Sequence, residues 1–91
     1  MKLIFDQAKN EVNIRQRGIS FKAAASFEFN TALIWKDTRT GYGEARYCAI
    51  GHIGDRLHVL VFTPRDDAMR VISLRKANKR EVKRYEQETN P

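Results

Sequence analysis

Apolar residues follow one spacing before about residue 30 and another after it. The short apolar run Lys2 to Phe5 predicts an edge strand, and Asp6 after it is placed to cap a helix carrying Ala8 and Val12 that ends near Gly18. Ser20 then caps a second predicted helix, whose apolar face is Phe21, Ala24, Ala25 and Phe27. These two helices are expected to pair as an amino-terminal hairpin.

Beyond Asn30, β-branched and aromatic residues dominate. Thr31 to Trp35 reads as a strand, followed by a polar loop from Lys36 to Glu44 that contains Gly41 and Gly43. Arg46 to Ile53, Gly54-Asp55 and Arg56 to Thr63 form a hairpin pattern, because Gly followed by Asp suits a two-residue turn. Leu57, Val59, Leu60, Val61 and Phe62 are apolar at both parities, which predicts a central strand covered on both faces. After a loop from Pro64 to Ala68, Met69 to Arg75 is a further strand whose Val71, Ile72 and Leu74 are expected to serve both faces. Asn78 with Glu81 three residues on is a capping-box signature, and Val82 and Tyr85 are spaced to dock a last helix on the sheet. The expected class is α+β: two amino-terminal helices, an antiparallel sheet of about four strands and a carboxy-terminal helix.

With 91 residues, 42% hydrophobic and 31% charged, one hydrophobic core and a single domain over residues 1–91 are expected. The lone Cys48 allows no internal disulfide, and no apolar stretch approaches the roughly 20 residues that span a bilayer. No leader pattern opens the chain, so a cytoplasmic protein that does not engage the membrane is the expectation.

The net charge of +6 is concentrated. Arg70, Arg75, Lys76, Lys79, Arg80, Lys83 and Arg84 stand against a single acid, Glu81, in that segment, and the remaining basic and acidic residues cancel. A clustered patch attracts a polyanion through counterion release, which evenly spread charge does poorly. A solvated helix face, or a surface for an acidic protein, would have the same composition.

Cys48, His52 and His58 lack any metal-ligand spacing, and Gly41 and Gly43 are not followed by a phosphate-loop lysine, so neither a metal nor another cofactor is expected. Cys48 within a strand pattern reads as a small buried hydrophobe. What remains is a set of arginines with Glu44, Tyr47 and Tyr85, which suits metal-free RNA cleavage. There the ribose 2′-hydroxyl attacks the adjacent phosphorus, so the protein supplies a proton acceptor, a donor to the leaving oxygen and cations. Arginine binds phosphate through a permanently charged fork, and tyrosine can stack on a base or donate a proton. Equally, Arg46, Arg70 and Arg75 could simply pair with Glu44, Asp66 and Asp67.

Several positions together resemble a known family. They begin with Phe5, Asp6 and Lys9, then Asn13, Gly18, Ser20-Phe21 and Ala24, and continue with Gly43-Glu44-x-Arg46-Tyr47 and Gly51. The most distinctive run is Arg70-x-Ile72-Ser73-x-Arg75-x-Ala77, followed by Glu81 and Tyr85. In these residues the chain resembles BrnT, the ribonuclease toxin of BrnT/BrnA type II toxin–antitoxin systems, throughout its length. The resemblance implies a RelE-like fold, ribosome-independent RNA cleavage that halts translation, and a DNA-binding BrnA-like antitoxin. Toxin and antitoxin would form a heterotetramer that reaches operator DNA only through the antitoxin. Two departures stand out: the family's usual Lys-His-Gly is Gln16-Arg17-Gly18 here, which removes an imidazole, and its opening tryptophan is Phe5.

Motif and chemistry together nominate Arg46, Arg70 and Arg75 as phosphate ligands, Glu44 as general base or arginine-orienting group, and Arg80 with Tyr85 to complete the site. Lys9, Arg17, Tyr47, Lys76, Lys79, Lys83 and Arg84 are the candidate RNA-binding positions. A glutamate of ordinary pKa, near 4.3, is a weak base at neutral pH, so slow cleavage is expected. The alternatives are a non-catalytic nucleic-acid-binding module and a protein-assembly module, which predict RNA retention without turnover and a stable heteromeric complex respectively.

Overall fold

A computed structural model describes residues 2–39, 41 and 43–89. Five strands, β1 (Lys2–Ile4), β2 (Leu33–Asp37), β3 (Arg46–Ile53), β4 (Arg56–Arg65) and β5 (Ala68–Lys76), form one sheet in the order β1-β5-β4-β3-β2. Helix α1 (Gln7–Arg17) follows β1, and α2 (Lys79–Thr89) follows β5. The class is the expected α+β, but the sheet is mixed: β1 pairs parallel with β5, whereas the other neighbours are antiparallel.

The ends of the two helices follow local chemistry. Asp6 accepts from the Lys9 amide at the start of α1, and Gly18 ends that helix with a left-handed φ of 72°. At α2, Asn78 and Glu81 exchange side-chain to backbone hydrogen bonds of 2.9 Å in both directions, the predicted capping box. The second amino-terminal helix is corrected. Ser20 does cap, but Phe21–Ser26 and Phe29–Thr31 are 3₁₀ turns, so no α-helical hairpin forms. Their compact shape comes from tertiary contacts: the Asn10 side chain accepts from the Phe21 amide at 2.7 Å, and Ala24 and Phe27 are buried whereas Ala25 is exposed. Several strand limits also move. The first long strand is Leu33–Asp37, so the following loop starts at Thr38, and β4 continues through Pro64 to Arg65 before a turn at Asp66-Asp67.

Two cores sandwich the sheet. Phe21, Ala24 and Phe27 pack with Ala49, Leu60, Met69, Val71 and Leu74 on one face. On the other, Tyr85 and Val82 of α2 pack with Leu33, Ile50, Leu57, Val59 and Ala77. As predicted, β4 is buried on both sides. Gly51 makes the first core possible, since a Cβ there would stand 2.6 Å from the ring of Phe27. Asn13 ties α1 to the sheet by donating to the carbonyls of Ile19 and Leu74 at 3.0 and 2.8 Å.

The register contains one irregularity with wide effect. Phe62 pairs with Val71 and Val61 with Ser73, so Ile72 has no partner and β5 bulges there. Met69, Val71 and Leu74 consequently share the face of Phe21, and Ile72 turns to the same side beside Phe21 and Asn13. The expectation that Val71, Ile72 and Leu74 divide between the faces is therefore overturned. Arg70, Ser73 and Arg75, opposite Thr63, Val61 and Val59, occupy the other face.

Candidate active site

Strand pairing arranges the α2 face in rows across the sheet. Leu33, Ile50, Val59 and Arg75 form one row; Trp35, Cys48, Val61 and Ser73 the next; and the third contains Asp37 beside Arg46 and Thr63 beside Arg70. Helix α2 covers the apolar part of the first row. Beyond it, Cys48, Val61 and Ser73 are only partly buried and make a small, uncharged floor. Guanidinium groups stand on both sides of this floor: Arg75 beside α2, and Arg46 and Arg70 on the far side.

Arg75 and Arg70 are held by carboxylates. Arg75 makes a bidentate pair with Glu81, both bonds 2.8 Å, which links β5 to the first turn of α2. This pair raises the Arg75 pKa and lowers that of Glu81, the hydrogen bonds between the two outweighing the opposing effect of burial. Arg70 reaches Glu44 at 3.2 Å, and Arg65 approaches the same carboxylate at 3.5 Å. The Thr63 hydroxyl donates to the carbonyl of Ala45 and so pins the chain next to Glu44. Asp37, cross-strand from Arg46, accepts three side-chain bonds from Arg39 at 3.0, 3.2 and 2.7 Å, and chiefly this hydrogen bonding holds its carboxyl below the usual range. Of the simple ion pairs considered from sequence, Arg70–Glu44 forms, whereas Arg75 takes Glu81, and Asp66 and Asp67 lie exposed in the β4–β5 turn.

Other nominated residues are distributed around this face of the sheet. Arg84 lies 4.2 Å over the Trp35 ring and pairs with Glu88 at 2.8 Å. Arg80 is exposed on α2 one turn before it, and Lys76, Lys79 and Lys83 are exposed in the same region of the chain. Tyr85 is 9% exposed and its hydroxyl donates to the Thr31 carbonyl at 2.9 Å, so it holds α2 against the sheet and its hydroxyl is not presented to the floor. Tyr47 belongs to the opposite face, where its ring stacks on Phe62 at 5.8 Å. Lys9 and Arg17 are exposed on α1, which also packs on that opposite side. The structure thus brings Glu44, Arg46, Arg70 and Arg75 to one face of the sheet, with Arg84 at its α2 side, and leaves Lys9, Arg17 and Tyr47 across the sheet.

Sequence reasoning missed Asp37, Thr63, Ser73 and the partner role of Glu81. The Arg-x-x-Ser-x-Arg spacing could have exposed Ser73, but only with the bulge known. Cys48 lies on the floor; burial first, and then Asp37, pushes its thiol pKa up, which keeps it protonated at neutral pH and a poor nucleophile. Among the described residues, no group of three His, Cys, Asp or Glu side chains is arranged to hold a metal ion. Likewise, none of the described helices is long and apolar enough to cross a membrane.

Comparison with known proteins matches a family model described as the ribonuclease toxin BrnT of type II toxin–antitoxin systems, over residues 5–81. That span contains Glu44, Arg46, Arg70, Arg75 and Glu81 and most of the sheet. No match to a curated protein is found.

Proposed function

Since the chain belongs to the BrnT family, the ribonuclease toxins of type II toxin–antitoxin systems, we propose that residues 1–91 act as one toxin domain whose α2-side groove cleaves RNA without a metal ion and without the ribosome. The observation that carries this reading is the convergence of Arg46, Arg70 and Arg75 around an uncharged floor, with a carboxylate, Glu44, at the rim.

In the proposed reaction the arginines receive the scissile phosphate. Its oxygens replace part of the carboxylate contact that Arg70 and Arg75 now make, so at these two charge is exchanged between anions without exposing a bare cation. Glu44 accepts the 2′-hydroxyl proton and, through its bond to Arg70, fixes that guanidinium against the phosphate. The 2′-oxygen then forms a bond to phosphorus as the bond from phosphorus to the 5′-oxygen breaks, and Arg75 and Arg46 stabilise the charge that develops. The departing oxygen takes a proton from water to become a 5′-hydroxyl, and the proton held by Glu44 passes to the hydroxide so formed. The products are a 2′,3′-cyclic phosphate and that 5′-hydroxyl end.

Exposed Lys79, Arg80 and Lys83, with Arg84, extend positive charge along α2 and suit the RNA flanking the cleaved bond. We assign the activity to the cytoplasm, where cleavage of messenger would halt translation. A BrnA-like antitoxin would neutralise the toxin in a heterotetramer and carry the contact to operator DNA.

The direct test is incubation of the purified chain with a long single-stranded RNA in EDTA, without ribosomes, followed by mass analysis of the fragment ends. Fragments with cyclic phosphate and 5′-hydroxyl ends are expected. Intact RNA, retained by the protein, would support a non-catalytic binding module instead.

A further inference from the structure

Ser73 is the one polar residue of the Arg70-Val71-Ile72-Ser73-Leu74-Arg75 run that takes no part in the ion pairs described above. In a regular strand it would share a face with Val71 and point into the apolar core beneath Phe21. A hydroxyl buried there without a partner costs about 1–3 kcal/mol. The unpaired Ile72 shifts the alternation by one residue, which turns Ser73 out to the groove and sets it in the row between those of Arg70 and Arg75.

Its surroundings suit a hydrogen-bond donor to an anion. Across the strands its row neighbours are Val61 and Cys48, and neither offers a strong acceptor to hold its proton. Thr63, also on this face, already donates its hydroxyl to Ala45. Ser73 is half-buried and its row lies between those of Arg70 and Arg75, on the path of a phosphate that engages both arginines.

We propose that Ser73 is a phosphate-contacting residue of this site, its hydroxyl donating to a non-bridging oxygen of the scissile phosphate held between Arg70 and Arg75. The assignment rests on the ribonuclease reading above. Ser73 keeps its proton throughout; the 2′-hydroxyl remains the nucleophile and Glu44 the acceptor. The non-bridging oxygens gain negative charge as the phosphorus becomes five-coordinate, so a fixed neutral donor stabilises the transition state more than the bound substrate. Its loss therefore acts mainly on kcat.

The test compares the full chain with Ser73→Ala and Ser73→Thr on a short fluorogenic RNA, with Arg70→Gln as a reference and thermal melting as a check of folding. Ser73→Ala is expected to lower kcat by roughly tenfold or more with little change in KM. Threonine retains the hydroxyl and suits a strand, so Ser73→Thr is expected to restore most of the rate. If Ser73→Ala turns over like the wild type while Arg70→Gln does not, the serine assignment is wrong and the groove stands. If threonine fails to rescue a slow alanine variant, the hydroxyl is not what matters, and the assignment again fails. A wild-type chain that leaves the RNA intact overturns the ribonuclease reading and the serine role together.

Discussion

Arg70 and Arg75 project from the same face of the sheet although their positions in β5 have opposite parity, because Ile72 bulges out between them. One inserted residue thereby gives two results. The apolar Val71 and Leu74 meet one core, and the two arginines meet across one groove. Bulges re-aim side chains at the cost of a local ladder hydrogen bond, and here the re-aimed side chains are those that suit a phosphate.

The link between β5 and α2 makes the first prediction. Glu81 joins a capping box to the Arg75 pair, so Glu81→Gln is expected to cost about 1 kcal/mol at neutral pH, of the size of a lost cap or charge-assisted bond. Because the folded-state pKa of Glu81 is lowered, its stabilisation is present above the ordinary glutamate pKa of about 4.3 and is lost as pH falls through the folded value. Urea unfolding at pH 7 and pH 3 checks this: the gap between wild type and variant should narrow in acid, and a constant gap would show that the carboxylate contributes through packing alone.

Much of this local architecture was legible in the sequence. Asp6, Gly18, Asn78 and Glu81 announce helix ends because a cap is satisfied within a few residues. The Gly54-Asp55 hairpin and the doubly covered β4 were legible for similar reasons, since turn chemistry and parity are local. The 3₁₀ geometry of Phe21–Ser26 was not, because it depends on Asn10 reaching the Phe21 amide and on Phe27 fitting against Gly51. Parallel pairing of β1 and the bulge at Ile72 were hidden for the same reason: both are facts about which distant residue lies opposite.

The candidate site divides along the same line. Arg46, Arg70, Arg75 and Glu44 were nominated by type and motif, and they do come together. Tyr85 was nominated on its phenol, but the hydroxyl is committed to Thr31. Tyr47 lies one position from Arg46 and therefore on the other face, an outcome of strand alternation. Asp37 could not be matched to Arg46 while the register across the intervening loop was unknown.

Gly51 offers a prediction about the opposite core. Adding a methyl group there forces the ring of Phe27 to move, so Gly51→Ala is expected to destabilise the protein by about 1–3 kcal/mol. Thermal or urea unfolding measures it directly. The smaller side chain of Phe27→Leu should relieve part of this strain, so the double variant should be less destabilised than the two single effects added together.

Cys48 gives a native reporter on the groove floor. Its raised thiol pKa predicts slow alkylation by iodoacetamide at pH 8 compared with a free thiol, and Cys48→Ala should retain cleavage activity. A single-stranded 2′-deoxy oligonucleotide, which lacks the nucleophile, should slow alkylation further if it occupies the floor. Unchanged alkylation at saturating oligonucleotide would mean that the nucleic acid binds elsewhere.

The proposed cleavage site is the α2 side of the sheet and not the α1 side. Its most direct test is the rate of RNA cleavage by Arg70→Gln set against the double variant Lys9→Gln/Arg17→Gln, with both confirmed as folded by circular dichroism. Arg70→Gln is expected to lose roughly 100-fold or more in rate, the size of a removed transition-state contact, whereas the α1 variant should remain close to wild type. A folded Arg70→Gln protein that cleaves like the wild type, or an α1 variant that loses activity in its place, would put the cleavage site elsewhere than the α2 side.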